Sequence, residues 1–181
     1  MKDSMTDKPI SESYWVVPGS FLAGAYPFLR FHEAYQPSRK VAFLEAGFNT
    51  FFDLTWPGER PAYLNDLQEE ADRYGITIQY HHINIQDRGL PSPKMMSDLL
   101  DTIDASLSAG NKVYLHCVGG IGRTGMTVGC WLVRHGLTGG QALIHLNEHY
   151  QTAGQSRLYP RSPETDAQVQ FILHWTEDGV A

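Results

Sequence analysis

The stretch HCVGGIGRTG, His116 to Gly125, sets a cysteine six positions before an arginine, with three glycines between them. It joins Val113 to His116, which reads as a strand, to Arg123 to His135, a helix that is apolar nearly all round. Such a helix belongs at the buried centre of a domain. The chain must therefore cover that helix on every side while leaving its first turn open to whatever the glycine loop binds.

Gly119, Gly120 and Gly122 let the backbone curl at φ values that other residues resist. A strand, a glycine-rich turn and a helix together bring backbone N–H groups and the positive helix N-terminus onto one oxyanion. The amides of Val118, Gly119, Gly120, Ile121 and Gly122 would form that cradle. Arg123, at the helix start, can grip two oxygens of a phosphate. Cys117 lies at the base, where the field that attracts a dianion also favours a thiolate. Thr124 can donate its hydroxyl to the sulfur or bond to local backbone, and both readings stand. For His116, a strand-end residue bracing the loop is better supported than a catalytic base.

The rest of the chain alternates helix and strand. Tyr14 to Val17 and Phe21 to Ala23 read as strands around Pro18-Gly19. Ser38 would cap a helix that runs to Ala46 and stops at Gly47, and Thr50 to Leu54 reads as a buried strand. Pro61 would open a helix with Leu64, Leu67, Ala71 and Tyr74 on one face, followed by a strand over Ile76 to Ile83. Ser92-Pro93 marks the start of a helix carrying Met96, Leu99, Leu100, Ile103 and Leu107, which stops at Gly110. Thr138 and Gln141 match a capping box, with Leu143, Leu146 and Tyr150 facing inward, and Ser162-Pro163 repeats the cap pattern before Gln168, Phe171, Ile172 and Trp175. With 181 residues, 42% of them apolar, the chain suits one domain. Residues 1–13 are expected to be a flexible tail and 14–178 the domain.

The loop resembles the His-Cys-x5-Arg-Thr/Ser loop of the cysteine-based phosphatases, and most of the chain from Tyr14 to Trp175 is similar to compact, bacterial-type members of the tyrosine and dual-specificity branch. The resemblance implies a single-domain α/β fold: a central, mostly parallel twisted sheet flanked by helices, with the Cys-x5-Arg loop between a central strand and a buried helix. It implies hydrolysis of phosphomonoesters through a phosphocysteine on Cys117, assisted by Arg123 and Thr124. Asp87, in NIQDRGLPSP, is in the place of the acid that protonates the leaving group. Glu59, in DLTWPGERP, is the rival acid, although with Asp53 it is better read as organising its own loop or capping the helix at Pro61. SPETDAQVQFI is similar to the closing segment that often supplies a glutamine to position water. Here the early position is Glu164, and Gln168 fits the later, structural place. No lysine lies between Cys117 and Arg123, which favours a phosphoprotein over a polyphosphorylated inositol ring, the alternative substrate.

A formal net charge of -6 argues against nucleic acid or an anionic membrane as a partner. Phosphorylated proteins or small phosphoesters are the expected partners. His81 and His82 would point to opposite faces of a strand and have no carboxylate or cysteine spacing to complete a metal site. No metal or other cofactor is expected. Cys117 and Cys130 form no paired framework, and no apolar run reaches 18 residues, so the cytoplasm is the expected compartment. Cys130 reads as a buried structural thiol.

Overall fold

The computed structural model describes residues 7–28 and 37–177. Five strands form one sheet: β1 (Ser13–Val17), β2 (Phe21–Gly24), β3 (Thr50–Asp53), β4 (Gln79–His82) and β5 (Val113–His116). Their spatial order is β1-β2-β5-β3-β4; β1 is antiparallel to β2 and every other pairing is parallel. The mixed, mostly parallel sheet and its flanking helices are those expected from the alternating pattern. Among the described residues six α-helices, α1 (Pro37–Glu45), α2 (Leu64–Asp72), α3 (Pro93–Ser108), α4 (Gly122–Arg134), α5 (Gly139–Tyr150) and α6 (Asp166–Leu173), and a short 3-10 helix, Gly154–Arg157, complete the fold.

Side chains alternate between the two faces of a strand, and that period sorts the core in two. Phe21, Ala23, Phe52, Val113 and Leu115 face α3, α4, α5 and α6 and pack with Met96, Leu100, Met126, Val128, Leu146 and Ile172. Leu22, Phe51 and Tyr114 face the other way and pack with Phe43, Phe48, Tyr63, Leu67 and Ala71 around α1 and α2. This second core is rich in aromatic rings: the Phe43 ring lies 4.6 Å from Tyr114, 5.3 Å from Phe48 and 5.7 Å from Phe51. All eleven residues from Gly122 to Leu132 in α4 are buried, as its apolar circumference requires. Cys130 is among them, and burial pushes its thiol well above the ordinary value.

Described residues ahead of Tyr14 also take part in the packing. Ile10 is buried, Ser13 is buried with its hydroxyl donating to Ile10 O at 2.7 Å, and Lys8 donates to Ser13 O and Thr152 O. Helix α1 begins at Pro37, so Ser38 lies inside its first turn. Helix α2 begins at Leu64, since the Tyr63 ring is drawn into the second core and Pro61 O accepts the Tyr26 hydroxyl. Tyr74 falls beyond the end of α2 and is exposed. Ile76 N–H returns to Ala71 O to close that end, which leaves only Gln79–His82 for β4. The Ser162-Pro163 pair caps nothing: Thr165 caps α6 in a reciprocal arrangement with Gln168, and Trp175 lies past the last turn while remaining in the core.

Helix α3 starts where Ser92 Oγ accepts Met95 N–H, and α5 starts on the Thr138–Gln141 capping box. Because β2, β3, β4 and β5 are parallel, the loops that follow them gather at one edge of the sheet, the usual place for a site in such folds. The second core depends on Phe43, which has no exposed surface. Phe43→Ala is expected to cost about 3–5 kcal/mol of unfolding free energy, measured by urea denaturation.

Candidate active site

The loop after β5, Cys117 to Ile121, leads directly into α4. Three of its carbonyls are taken by donors from elsewhere in the chain: Val118 O by Tyr26 N–H at 3.0 Å, Gly119 O by Gln155 Nε2 at 3.2 Å and Ile121 O by Ser162 Oγ at 2.7 Å. With the carbonyls turned outward and occupied, the amides of Val118 to Ile121 have no backbone acceptor among the described residues. They are the free donors that an oxyanion cradle needs. Gly120 has φ +68°, and a Cβ there would stand 2.3 Å from Gly24 C, so backbone meets backbone and only glycine fits. At Gly125 a Cβ would stand 1.9 Å from Ser162 Oγ and displace the brace on Ile121.

Cys117 is 2% exposed at the bottom of a pocket of about 210 Å³, whose wall includes Val118, Gly119, Ile121, Gly122 and Arg123. Glu59, Asp87, Tyr159 and Glu164 form the rest of its lining. The pocket therefore brings together the thiol, the guanidinium and both carboxylates considered as acids. Arg123, itself 2% exposed, is held on several sides. Its Nη1 donates to Glu59 Oε2 at 2.8 Å, Ile85 O at 3.0 Å and Leu54 O at 3.4 Å; its Nη2 donates to Glu59 Oε1 at 2.7 Å and Asp87 Oδ1 at 3.1 Å. The Nε–H has no protein acceptor among the described residues. Burial acts to raise the Glu59 carboxyl, but its bonds from Arg123 and from Trp56 N–H outweigh burial and hold it below the usual range. Glu59 thus organises its loop, as its better-supported reading has it, and does so by gripping the arginine.

Asp87 differs from Glu59. Its side chain is 63% exposed at the pocket mouth and shares one oxygen with Arg123. The loop that carries it is tied down by Gln168, which is fully buried, packs against Gly122 and donates from Nε2 to Gly89 O at 3.4 Å. The Gln168 Oε1 accepts Thr165 N–H at 3.2 Å. Both ends of that amide are occupied. Thr124 is fully buried, and its Oγ1 makes no hydrogen bond among the described residues.

His116 is fully buried behind the loop. Its Nε2 is 2.7 Å from Tyr63 Oη, and its Nδ1 lies 3.2 Å from Cys117 O and 4.0 Å from Asp53 Oδ1. Burial holds the imidazole below the ordinary histidine value, an effect that Asp53 opposes. Asp53 in turn accepts Thr55 N–H, Thr55 Oγ1 and Tyr80 Oη. His116 therefore braces the base of the loop and does not line the pocket. His81 stacks on Phe52 at 4.6 Å and His82 Nε2 is 2.9 Å from Thr55 O. Among the described residues no cluster of histidine, cysteine and carboxylate is placed to hold a metal, and no helix is long and apolar enough to cross a membrane. A roomier cleft of about 590 Å³ lies between β4 and α3, away from Cys117. Gln155, Tyr159 and the loop-bracing role of Ser162 escaped the sequence reading, since glutamine and tyrosine in a polar segment carry no pattern of their own.

Residues 42–137, more than half of the chain, match the family described as polymorphic toxin system, DSP-PTPase phosphatase. The chain belongs to this phosphatase family. Mouse protein tyrosine phosphatase domain-containing protein 1 is 30% identical over 156 residues, which are 80% of this chain and 20% of that protein. The phosphatase chain thus spans about a fifth of the length of that relative. Among solved structures, Tk-PTP in its active form superposes with a TM-score of 0.63 at 23% identity, covering 90% of this chain and 95% of that one. The catalytic core of the yeast PP-IP phosphatase SIW14 gives 0.66 at 16% identity, covering 96% and 90%. At those identities the likeness shows the fold.

Two outcomes follow from the loop and its brace. Gly120→Ala is expected to cost about 1–3 kcal/mol of stability and to weaken orthovanadate binding, read by thermal unfolding with and without the anion. Below about pH 6.5 an unfolded chain takes up a proton at His116 that the buried ring does not, so acidification destabilises the fold. The fall in stability from about pH 6.5 to about pH 5 should be shallower in His116→Gln than in the natural sequence, and equal slopes would contradict the account.

Proposed function

We propose that the domain is a tyrosine or dual-specificity phosphatase that hydrolyses phosphomonoesters through a phosphocysteine on Cys117. The observation that carries this reading is the pocket in which Cys117 and Arg123 meet, with the Asp87 carboxylate 3.1 Å from the guanidinium. The phosphate would lie in the cradle of amides from Val118 to Arg123, taking the Nε–H of Arg123 and the Nη2 hydrogen now shared with Asp87. Substrate thereby frees Asp87 to face the leaving oxygen. The Cys117 thiolate attacks phosphorus, the bond from phosphorus to the leaving oxygen breaks, and Asp87, which must enter this step as the carboxylic acid, gives that oxygen its proton and is left as the carboxylate. Water then attacks phosphorus as Asp87 takes a proton from it, the P–S bond breaks, and inorganic phosphate leaves with the thiolate restored. The amides and Arg123 act on the charge that builds up on the equatorial oxygens. Thr124 Oγ1, which has no hydrogen-bond partner, is available to donate to the sulfur as it departs.

The lining supports a phosphoprotein over a polyphosphorylated inositol ring such as the SIW14 name indicates for the yeast protein. Glu59, Asp87 and Glu164 stand around a single cation, Arg123. Two arginines near the rim are engaged: Arg88 pairs with Glu164 at 3.3 Å and Arg161 with Asp166 at 2.8 Å. A second phosphate on the same ligand would meet carboxylates.

Cys117→Ser is expected to abolish phosphate release from para-nitrophenyl phosphate while retaining orthovanadate binding; persisting hydrolysis would overturn the mechanism. Asp87→Asn should slow poor leaving groups by about 10²–10⁴-fold in steady-state assays and para-nitrophenyl phosphate much less. If Glu59→Gln shows that leaving-group dependence instead, the acid is Glu59.

A further inference from the structure

Leu158 is 81% exposed, the most exposed large apolar residue among those described, and its neighbour Tyr159 is 52% exposed. This is not a frayed segment. Leu158 N–H and Tyr159 N–H both donate to Gln155 O, at 3.1 and 3.0 Å; Tyr159 O accepts the Tyr150 hydroxyl at 2.8 Å; Pro160 O accepts Gln151 Nε2 at 2.7 Å. Four backbone bonds hold two apolar side chains out in water, an arrangement that gains nothing for the fold.

Beside them is a hollow of about 150 Å³ lined by Ile121, Leu158, Tyr159, Pro160, Arg161 and Glu164. Ile121, Tyr159 and Glu164 also line the pocket that holds Cys117, so the two hollows adjoin. The charged groups of the second one are already engaged. Arg161 binds Asp166 and Glu164 O, and Glu164 pairs with Arg88. What remains for a ligand is an apolar shelf.

On the reading that the first pocket takes a phosphoryl group, we propose that this shelf is a specificity subsite for the apolar side chain of a residue flanking the phosphorylated one in a peptide. Adjacent residues of a peptide are 3.80 Å apart at Cα, within reach of two hollows that share three residues. An isolated sugar or nucleotide phosphate has no apolar side chain to place there. Leu158 and Tyr159 supply the contact, and the four backbone bonds keep it preorganised.

The test compares two phosphotyrosyl peptides that differ only in leucine or serine at the flanking positions. The natural sequence should give a kcat/KM about tenfold higher on the leucine peptide, as one well-filled apolar contact provides, with the difference in KM. Leu158→Ser should reduce that ratio to within about twofold. A ratio near one in the natural sequence, or one that Leu158→Ser leaves intact, would overturn the subsite. Affinity of both peptides for the Cys117→Ser variant, measured by calorimetry, reads the subsite without turnover and should show the same tenfold preference. Absence of hydrolysis with any substrate, para-nitrophenyl phosphate included, would instead overturn the phosphatase reading, and the calorimetric ratio would still decide the shelf.

Discussion

A guanidinium with 2% exposure is held where a bare cation could not be. Taking a charge out of water is affordable to the fold only when partners surround it, and losing one partner of a buried pair typically costs about 3–5 kcal/mol. For Arg123 those partners come from the loop after β3, through Glu59 and Leu54 O, and from the loop after β4, through Asp87 and Ile85 O. The arginine itself follows β5. One side chain thereby ties together three parallel strand ends, and the pocket is the space left around that tie.

Behind this charged tie stands an apolar division of labour. The period of two along β2, β3 and β5 feeds one mixed aliphatic and aromatic core under α3 to α6 and another, rich in edge-to-face and tilted aromatic rings, under α1 and α2. His116 connects the second core to the site. Its ring touches Tyr63 and Tyr26 on the aromatic side and lies 3.2 Å from Cys117 O on the other. The loop thus rests on packed rings, which have few alternative arrangements.

What the sequence displayed and what it hid divides along the range of the interactions. The strand, glycine turn and helix around Cys117 are neighbours in the chain, so their spacing was readable. Asp87 was singled out by its loop between a strand and a helix and by its interval before Cys117, which the family resemblance supplied. Glu59 could be narrowed to an organising role, but its hold on Arg123 spans 64 residues and nothing local announces it. The two Ser-Pro pairs are the clearest case. Ser92-Pro93 and Ser162-Pro163 look alike, yet Ser92 caps α3 while the Ser162 hydroxyl is used on Ile121 O, 41 residues away. Tertiary demand for a donor beneath the loop overrode the local preference, and Thr165 took over the cap.

The braces on the loop carbonyls come from Tyr26 near the start of the domain, Gln155 after α5 and Ser162 before α6. No stretch shorter than residues 26–162 contains both the loop and all its supports. Anion-binding geometry here is therefore a property of the completed topology, and a nascent or partly unfolded chain that already has its strand, glycines and helix would still lack an inward-facing ring of amides. The pocket around Cys117 and its free amides are thus a feature of the whole topology and not of the loop sequence alone.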